Sequence, residues 1–178
     1  MQSRIDAEAL RIVMRHVPSP VTIVTVGAET EKRGITIGSF TSTSLQPPLV
    51  SFNVSREASV YQALITSESF AVHVLSDHQA HLSDHFATPE LTGDEQFQNV
   101  AYELQANGTP ILSEALVVML CARHAVYDAG DHSIIVGRVI GLGDVDDDGL
   151  PLVYFDRAYR RVGREAQPTR FDPIEEAT

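Results

Sequence analysis

Gly34-Ile-Thr-Ile-Gly-Ser-Phe-Thr-Ser-Thr-Ser-Leu-Gln-Pro-Pro-Leu-Val-Ser-Phe52 is the stretch on which the reading of this chain turns. Seven of the positions from Thr36 to Ser51 are Ser or Thr, and apolar residues flank them on both sides. Pro47-Pro48 marks a turn, because each ring fixes φ and neither residue donates an amide. The stretch therefore reads as a strand over 36–42, a turn, and a second strand over 49–54. Hydroxyls and small residues between two strands offer donors without bulk, which suits a phosphate or a polar cofactor tail. The same composition also fits an ordinary Ser/Thr-rich surface connection.

Outward from that stretch, β-branched runs recur over 20–28, 70–75, 116–127, 133–143 and 150–155 and read as strands. Asp128-Ala-Gly-Asp131 is a hairpin signal between the two longest. Helices are expected over 3–16, where Asp6 can cap and Leu10, Val13, Met14 and Val17 share a face, over 57–66, and over 77–86 behind the capping box Ser76-Asp-His-Gln79. Residues 29–34 and 144–149 read as charged turns. The segment 88–109 is polar and irregular, with Phe97 and Tyr102 to anchor it. Six or so strands joined by tight turns, with two or three short helices, suggest an antiparallel barrel with α additions.

The chain has 178 residues with 43% hydrophobic residues and a mean hydropathy of −0.04. That is one domain, over 1–165, followed by a polar tail over 166–178 expected to be mobile. No apolar run approaches the ~20 residues of a membrane span. Met1-Gln-Ser-Arg-Ile-Asp6 does not read as a leader. Cys121 is the single cysteine, so an internal disulfide and a Cys-based zinc site are excluded, and its apolar surroundings suggest an inert buried thiol. These features point to the cytoplasm. A formal net charge of −11, with no basic cluster larger than that between Arg157 and Arg164, argues against nucleic-acid binding.

Three further segments carry candidate chemistry. Asn53-Val-Ser-Arg-Glu-Ala-Ser59 runs from a strand end into a helix start, where amide donors and the helix dipole favour an anion. Arg56 adds charge there and Ser59 a hydroxyl, although a solvated Arg beside a plain cap fits as well. Gly130-Asp131-His132 is either a turn with a half-exposed His or a functional element. His81 and His85, at i and i+4 with His78 one turn earlier, have metal-ligand spacing, but no third ligand is in view. The polar face of an amphipathic helix accounts for them, and no metal is expected.

Taken in order, these pieces resemble the short-chain flavin reductase family, whose fold is the FMN-binding split barrel. The resemblance runs over 8–163. It includes the hydroxyl stretch, 53–59, 70–75, 79–87, Gly108-Thr-Pro110, Cys121, Gly130-Asp-His-Ser-Ile-Ile-Val-Gly137 and Pro151-Leu-Val-Tyr-Phe-Asp-Arg-Ala-Tyr-Arg-Arg161. It implies a mainly β (α+β), antiparallel Greek-key split β-barrel. The implied activity is NAD(P)H:flavin oxidoreduction, with FMN or FAD as prosthetic group or substrate and NADH or NADPH as hydride donor. By the same resemblance Ser39, Phe40, Thr41, Ser42 and Ser44 line the flavin. Asn53, Val54, Ser55, Arg56 and Ser59 take its phosphate end, and Phe86 joins the cofactor site. Gly130, Asp131 and His132 lie on the nicotinamide side, where His132 orients the ring and excludes water without acting as a base. Tyr159 and Arg160 approach the flavin ring, where a cation would stabilise charge developing on reduction. A homodimer and a separate flavin-dependent monooxygenase as partner are further implications. Ser19-Pro20 stands where relatives usually have Gly before the first strand, and Gly38 where a small Ala or Ser is commoner. A flavin- or haem-binding barrel without turnover stays open as an alternative, since fold does not settle function. A metal hydrolase built on His81 and His85 is a remote third.

Both implied substrates are anions and the chain is acidic, so any site must gather its cations locally. Arg56, Arg157, Arg160 and Arg161 are the candidates.

Overall fold

Backbone pairing follows the β-branched runs closely. The structure, a computed structural model, describes residues 5–28, 31–91, 93–145 and 148–163. In chain order its elements are helix α1 (Ala7–Met14), strands β1 (Ser19–Pro20), β2 (Thr22–Ala28), β3 (Glu31–Ile37), β4 (Thr41–Leu45) and β5 (Pro48–Ser55), helix α2 (Tyr61–Thr66) and β6 (Ser69–Val74). Helices α3 (Ala80–Phe86) and α4 (Gly93–Phe97) follow, then β7 (Tyr102–Leu104), β8 (Pro110–Leu112), β9 (Val117–Ala129), β10 (His132–Val145), β11 (Leu152–Phe155) and β12 (Ala158–Arg161).

Seven strands form one antiparallel sheet in the order β3-β2-β6-β9-β10-β5-β4. The sheet curls until β3 approaches β5, and register shifts between β9 and β10, with the extra residue on β9 at His124 and on β10 at Val139/Gly141 and Leu142/Val145, provide local bending. Inside lie Val24, Val50, Phe52, Val54, Phe70 and Ile135, with Phe52 and Phe70 edge to face at 5.5 Å. Helix α2 closes the core with Val60 and Leu64. A second apolar cluster of Ile23, Leu75, Phe86, Phe97, Leu112 and Leu152 fastens α3, α4 and the short β1-β11-β12 sheet to the barrel. The mainly β, antiparallel split barrel expected from the sequence is the fold found.

Details differ from expectation where long-range pairing decides. The strand expected over 36–42 is broken at 38–40, because the chain leaves β2 as partner and crosses to β5 as β4. Residues 31–34 belong to β3 and not to a turn. The irregular segment contains α4 and a β7-β8 hairpin, giving four short helices among the described residues where two or three were expected. Helix α2 begins only at Tyr61, after a turn, and α3 at Ala80. Half of the Ser76–Gln79 capping box forms, with Gln79 Oε1 accepting from the Ser76 amide at 3.0 Å. Asp6 caps α1 as expected, accepting from the Ala9 amide at 2.8 Å. Helix α1 nevertheless buries none of its residues among the described part of the chain, and Leu10, Val13 and Met14 are exposed. The proposed tail, 166–178, lies outside the described residues.

Two buried groups carry polar information into the core. His73 on β6 is fully buried; its Nδ1–H donates to the Ile23 carbonyl at 3.1 Å and its Nε2 accepts from the Leu112 amide at 3.0 Å. The ring thus joins β2, β6 and β8 in its neutral form. Burial pushes its pKa down to about 4, against a smaller opposing effect of the Ile23 bond. Cys121 is fully buried, and burial pushes its thiol up to about 12. The inert thiol expected from the sequence follows, since the thiolate is the reactive form.

Candidate functional site

A cleft runs between β3 and α3. Thr36 on β3 donates from Oγ1 to the Ser83 carbonyl of α3 at 2.7 Å, which sets the spacing of the two walls. On one side of this tie lies a cavity of about 410 Å³, lined by Gly34, Thr36, Ser55, Glu57, Ser59 and Phe86 among others. On the other lies one of about 300 Å³, lined by Thr36, Gly38, Ser83, Asp84, Tyr154 and Tyr159 among others. Thr36 and Ala87 belong to both, so the two compartments share a boundary.

Of the residues expected at the anion end, Ser55 and Ser59 line the larger compartment, and Asn53, Val54 and Arg56 do not. Ser55 closes β5, Ser59 follows in the turn, and the Ser55 hydroxyl accepts from the Glu57 amide at 3.2 Å. Phe86 is 2% exposed; it is chiefly a core ring whose edge meets the cavity wall. Gly34 is needed opposite it, because a Cβ there would sit 2.5 Å from two Phe86 ring carbons. Gln96 of α4 holds Gly34 from behind through two bonds of 3.1 Å to its backbone.

Beside this compartment the β9-β10 turn meets the end of β5. His132 stands opposite Ser55 and Ser133 opposite Val54 in register. Gly130 adopts φ +69° at the turn, a conformation that favours glycine. His132 Nδ1 lies 2.8 Å from the Asp131 carboxylate, and that bond holds the Asp131 carboxyl below its ordinary range. Arg56 binds the same turn: its guanidinium is 2.8 Å from Asp128, its Nε donates to the His132 carbonyl at 3.4 Å, and its amide donates to the Asp131 carbonyl at 3.1 Å. The two motifs, distant in sequence, therefore form one corner.

The hydroxyl stretch divides. Thr36 and Gly38 reach the cleft, while Ser39, Phe40, Thr41, Ser42 and Ser44 do not line either compartment. Ser39 Oγ accepts from the Asn53 amide at 2.9 Å and fixes the crossover from β3 to β4. Phe40 packs against the barrel core. Thr41, Ser42 and Ser44 belong to β4, the edge strand, whose outer side is unpaired in the single chain. Val54 is buried in the barrel and Asn53 is exposed beside Ser39.

At the far end, Tyr159 Oη donates toward Asp84 Oδ1 at 2.7 Å and lies 2.9 Å from Ser83 Oγ. Desolvation, chiefly, raises its pKa, with the Asp84 carboxylate adding to the shift, so the phenol remains a proton donor. Tyr154 stands edge to face with it at 5.4 Å. Arg160 is exposed; as the strand neighbour of Tyr159 it falls on the opposite face of β12. Arg161 pairs with Asp77 at 2.9 Å and pins β12 to the entry of α3.

The α3 histidines have other work. His85 Nε2–H donates to the Gln96 carbonyl at 2.9 Å, His78 pairs with Asp77 at 3.3 Å, and His81 is exposed. Among the described residues no three His, Cys, Asp or Glu side chains are grouped to hold a metal. Sequence reasoning missed Asp84, Ser83, Thr36 and Tyr154 as cleft residues.

The structure is thus a split barrel with a hydroxyl-rich edge strand and a cleft of two compartments. The chain belongs to the flavin reductase-like family: the model for the flavin reductase like domain matches residues 14–163. It is 41% identical over 140 residues to an NADH-dependent FAD reductase of Streptomyces globisporus, covering 76% of this chain and 75% of that one. The reductase component of 4-hydroxyphenylacetate 3-monooxygenase from Thermus thermophilus is 37% identical over 155 residues, 87% and 96% of the two chains. Among solved structures, the NADH:FAD oxidoreductase SgcE6 of Streptomyces globisporus, in complex with NAD and FAD fragments, superposes with a TM-score of 0.82 at 34% identity. That match covers 93% of this chain and 99% of that one.

Proposed function

We propose that this protein is an NAD(P)H:flavin oxidoreductase that reduces FMN or FAD and releases the reduced flavin to a separate monooxygenase. The observation that carries the reading is the corner where Ser55 and Arg56 meet Gly130-Asp131-His132, at the mouth of the cleft. It brings an anion-favouring strand end together with the element that the sequence resemblance assigns to the nicotinamide side. The residues present fit a flavin: neutral hydroxyls at Thr36, Ser55 and Ser59 line a compartment of about 410 Å³ without bulk. Modest neutral contacts to a phosphate suit a cofactor that must leave after reduction. The bound flavin and nicotinamide supply the hydride chemistry themselves.

This chain's own residues position, shield and balance charge. Ser55, Arg56 and Ser59 hold the phosphate end. His132, its Nδ1 engaged by Asp131, presents a fixed ring edge that orients the nicotinamide and excludes water. Ser39 and Asn53 hold the β3–β4 crossover, Phe40 and Val54 pack in the barrel, and Thr41, Ser42 and Ser44 stand on the β4 edge, so they shape the site through the fold without lining the cleft. Phe86 backs the larger compartment and Tyr159 the smaller, while Arg160 is exposed on the other face of β12.

A homodimer in the cytoplasm is part of the proposal. Unpacked apolar residues on α1 (Leu10, Val13, Met14) and on β10 (Ile140, Leu142) favour a second copy, and a dimer also brings cover to the open edge of β4. No helix among the described residues is long and apolar enough to cross a membrane.

The decisive experiment follows oxidation of NADH and of NADPH by the purified chain with FMN, FAD or no flavin, with the mass in solution measured alongside. Flavin-dependent oxidation by a dimer is expected. Tight flavin binding without turnover would instead favour the non-catalytic barrel.

A further inference from the structure

The smaller compartment has a chemistry of its own. Its volume of about 300 Å³ sits at the small end of ligand cavities, roughly 300–1,000 Å³. Tyr154 is 43% exposed while its ring is held edge to face against Tyr159, so an open aromatic face is fixed in place. Tyr159 is itself locked by Asp84 and Ser83. That lock uses Asp84 Oδ1 and fixes the carboxylate at the cavity wall. No Lys, Arg or His is among the described residues lining this compartment. An unneutralised carboxylate accepts from hydroxyls and repels phosphate. An aromatic face beside a carboxylate matches an aromatic base joined to a sugar diol, the pairing by which an acidic residue reads a ribose 2′-hydroxyl elsewhere.

We propose that the Tyr154–Tyr159–Asp84 compartment is a nucleoside subsite, with an adenine ring against Tyr154 and the ribose hydroxyls donating to Asp84. It deepens the reductase reading, from which the substrate class is taken. Asp84 then selects against a 2′-phosphate, which favours NADH over NADPH. Adenosine is common to the hydride donor and to FAD, and the shared boundary at Thr36 and Ala87 lets either nucleotide extend into the larger compartment.

Calorimetric titration of the full chain with 5′-AMP and with 2′,5′-ADP tests the subsite without turnover. Wild type should bind 5′-AMP about tenfold or more tightly than 2′,5′-ADP, the size of one like-charge contact at a partly solvated site. Asp84→Asn keeps an acceptor for Tyr159 and should narrow the ratio to within about threefold. Equal affinities in wild type, an unchanged ratio in Asp84→Asn, or no saturable 5′-AMP binding would overturn the proposal. Kinetics then identify the source of the adenosine. A changed NADH/NADPH preference in Asp84→Asn assigns it to the hydride donor, and a changed FAD/FMN preference assigns it to the flavin. Equal damage to FAD and FMN with no change in NADH/NADPH preference would place the flavin ring in this compartment and overturn the nucleoside assignment. Selective 5′-AMP binding by a chain that oxidises neither nicotinamide nucleotide would sustain the subsite and sink the reductase reading.

Discussion

The Arg56 guanidinium lies 2.8 Å from the Asp128 carboxylate and joins the start of the α2 turn to the end of β9. Arg56 thereby serves as a strut of the β9-β10 hairpin, and the proposed function also gives it the flavin phosphate. The Asp128 side chain is 87% exposed and Arg56 40%, so the pair adds only about 0.2–1 kcal/mol to stability. A functional role and a structural one are therefore separable by magnitude.

Arg56→Ala should weaken FMN roughly 10- to 100-fold, the size of one charge-assisted bond of about 1.5–3 kcal/mol. Riboflavin, which lacks the phosphate, should be nearly unaffected. Urea denaturation should show a loss below about 1 kcal/mol. Equal weakening of both flavins would remove the phosphate role.

His132→Ala should raise the KM for NADH or lower turnover while leaving the flavin dissociation constant close to wild type. The side chain is 43% exposed and its only bond among the described contacts is to Asp131, so folding should be little changed. Steady-state kinetics beside a direct flavin titration check the split. Wild-type kinetics with NADH would eliminate the assignment.

His73 predicts an acid-sensitive core. Its folded pKa of about 4 lies below the unfolded 6.5, so the unfolded chain binds the extra proton between those values. Stability from this group is fully present above pH 6.5 and is lost as pH falls toward about 4, by about 3 kcal/mol in all. Urea denaturation from pH 7 to pH 4 should show that loss, and His73→Gln should remove this component from the pH profile. A profile identical in wild type and variant would contradict the buried neutral ring.

Gly34→Ala places a methyl into the Phe86 ring. Overpacking of this kind costs about 1–3 kcal/mol, readable in thermal or urea unfolding. Because Phe86 backs the larger compartment, flavin affinity should fall as well. A stable variant with unchanged affinity would show that the ring can retreat without disturbing the cleft.

Local chemistry was legible in the chain. Asp6 and Gln79 act within three residues of themselves, and Gly130 serves a turn whose two strands adjoin it. Such features depend on neighbours that the sequence itself supplies. An antiparallel barrel with α additions and the hairpin before His132 follow from the same periodicities, whereas the split barrel is implied by the family resemblance of the motifs in order. The segment 36–45 was only half legible: alternation marks strand-forming residues, but the break at 38–40 exists because β3 and β4 pair with different partners.

What tertiary structure alone decided is which distant groups share a wall. Tyr159 meets Asp84, Arg56 meets Asp128, and His73 reaches Leu112, each across a separation no local pattern encodes. These contacts arise because curling the sheet and docking α3 on β3 bury apolar faces, and the polar side chains carried along take whatever partners that packing sets beside them. The sequence determined the barrel and the kinds of residue available to its cleft; the packing decided that Thr36, Asp84 and Tyr159 line it while Thr41 and Ser42 stand on an open edge.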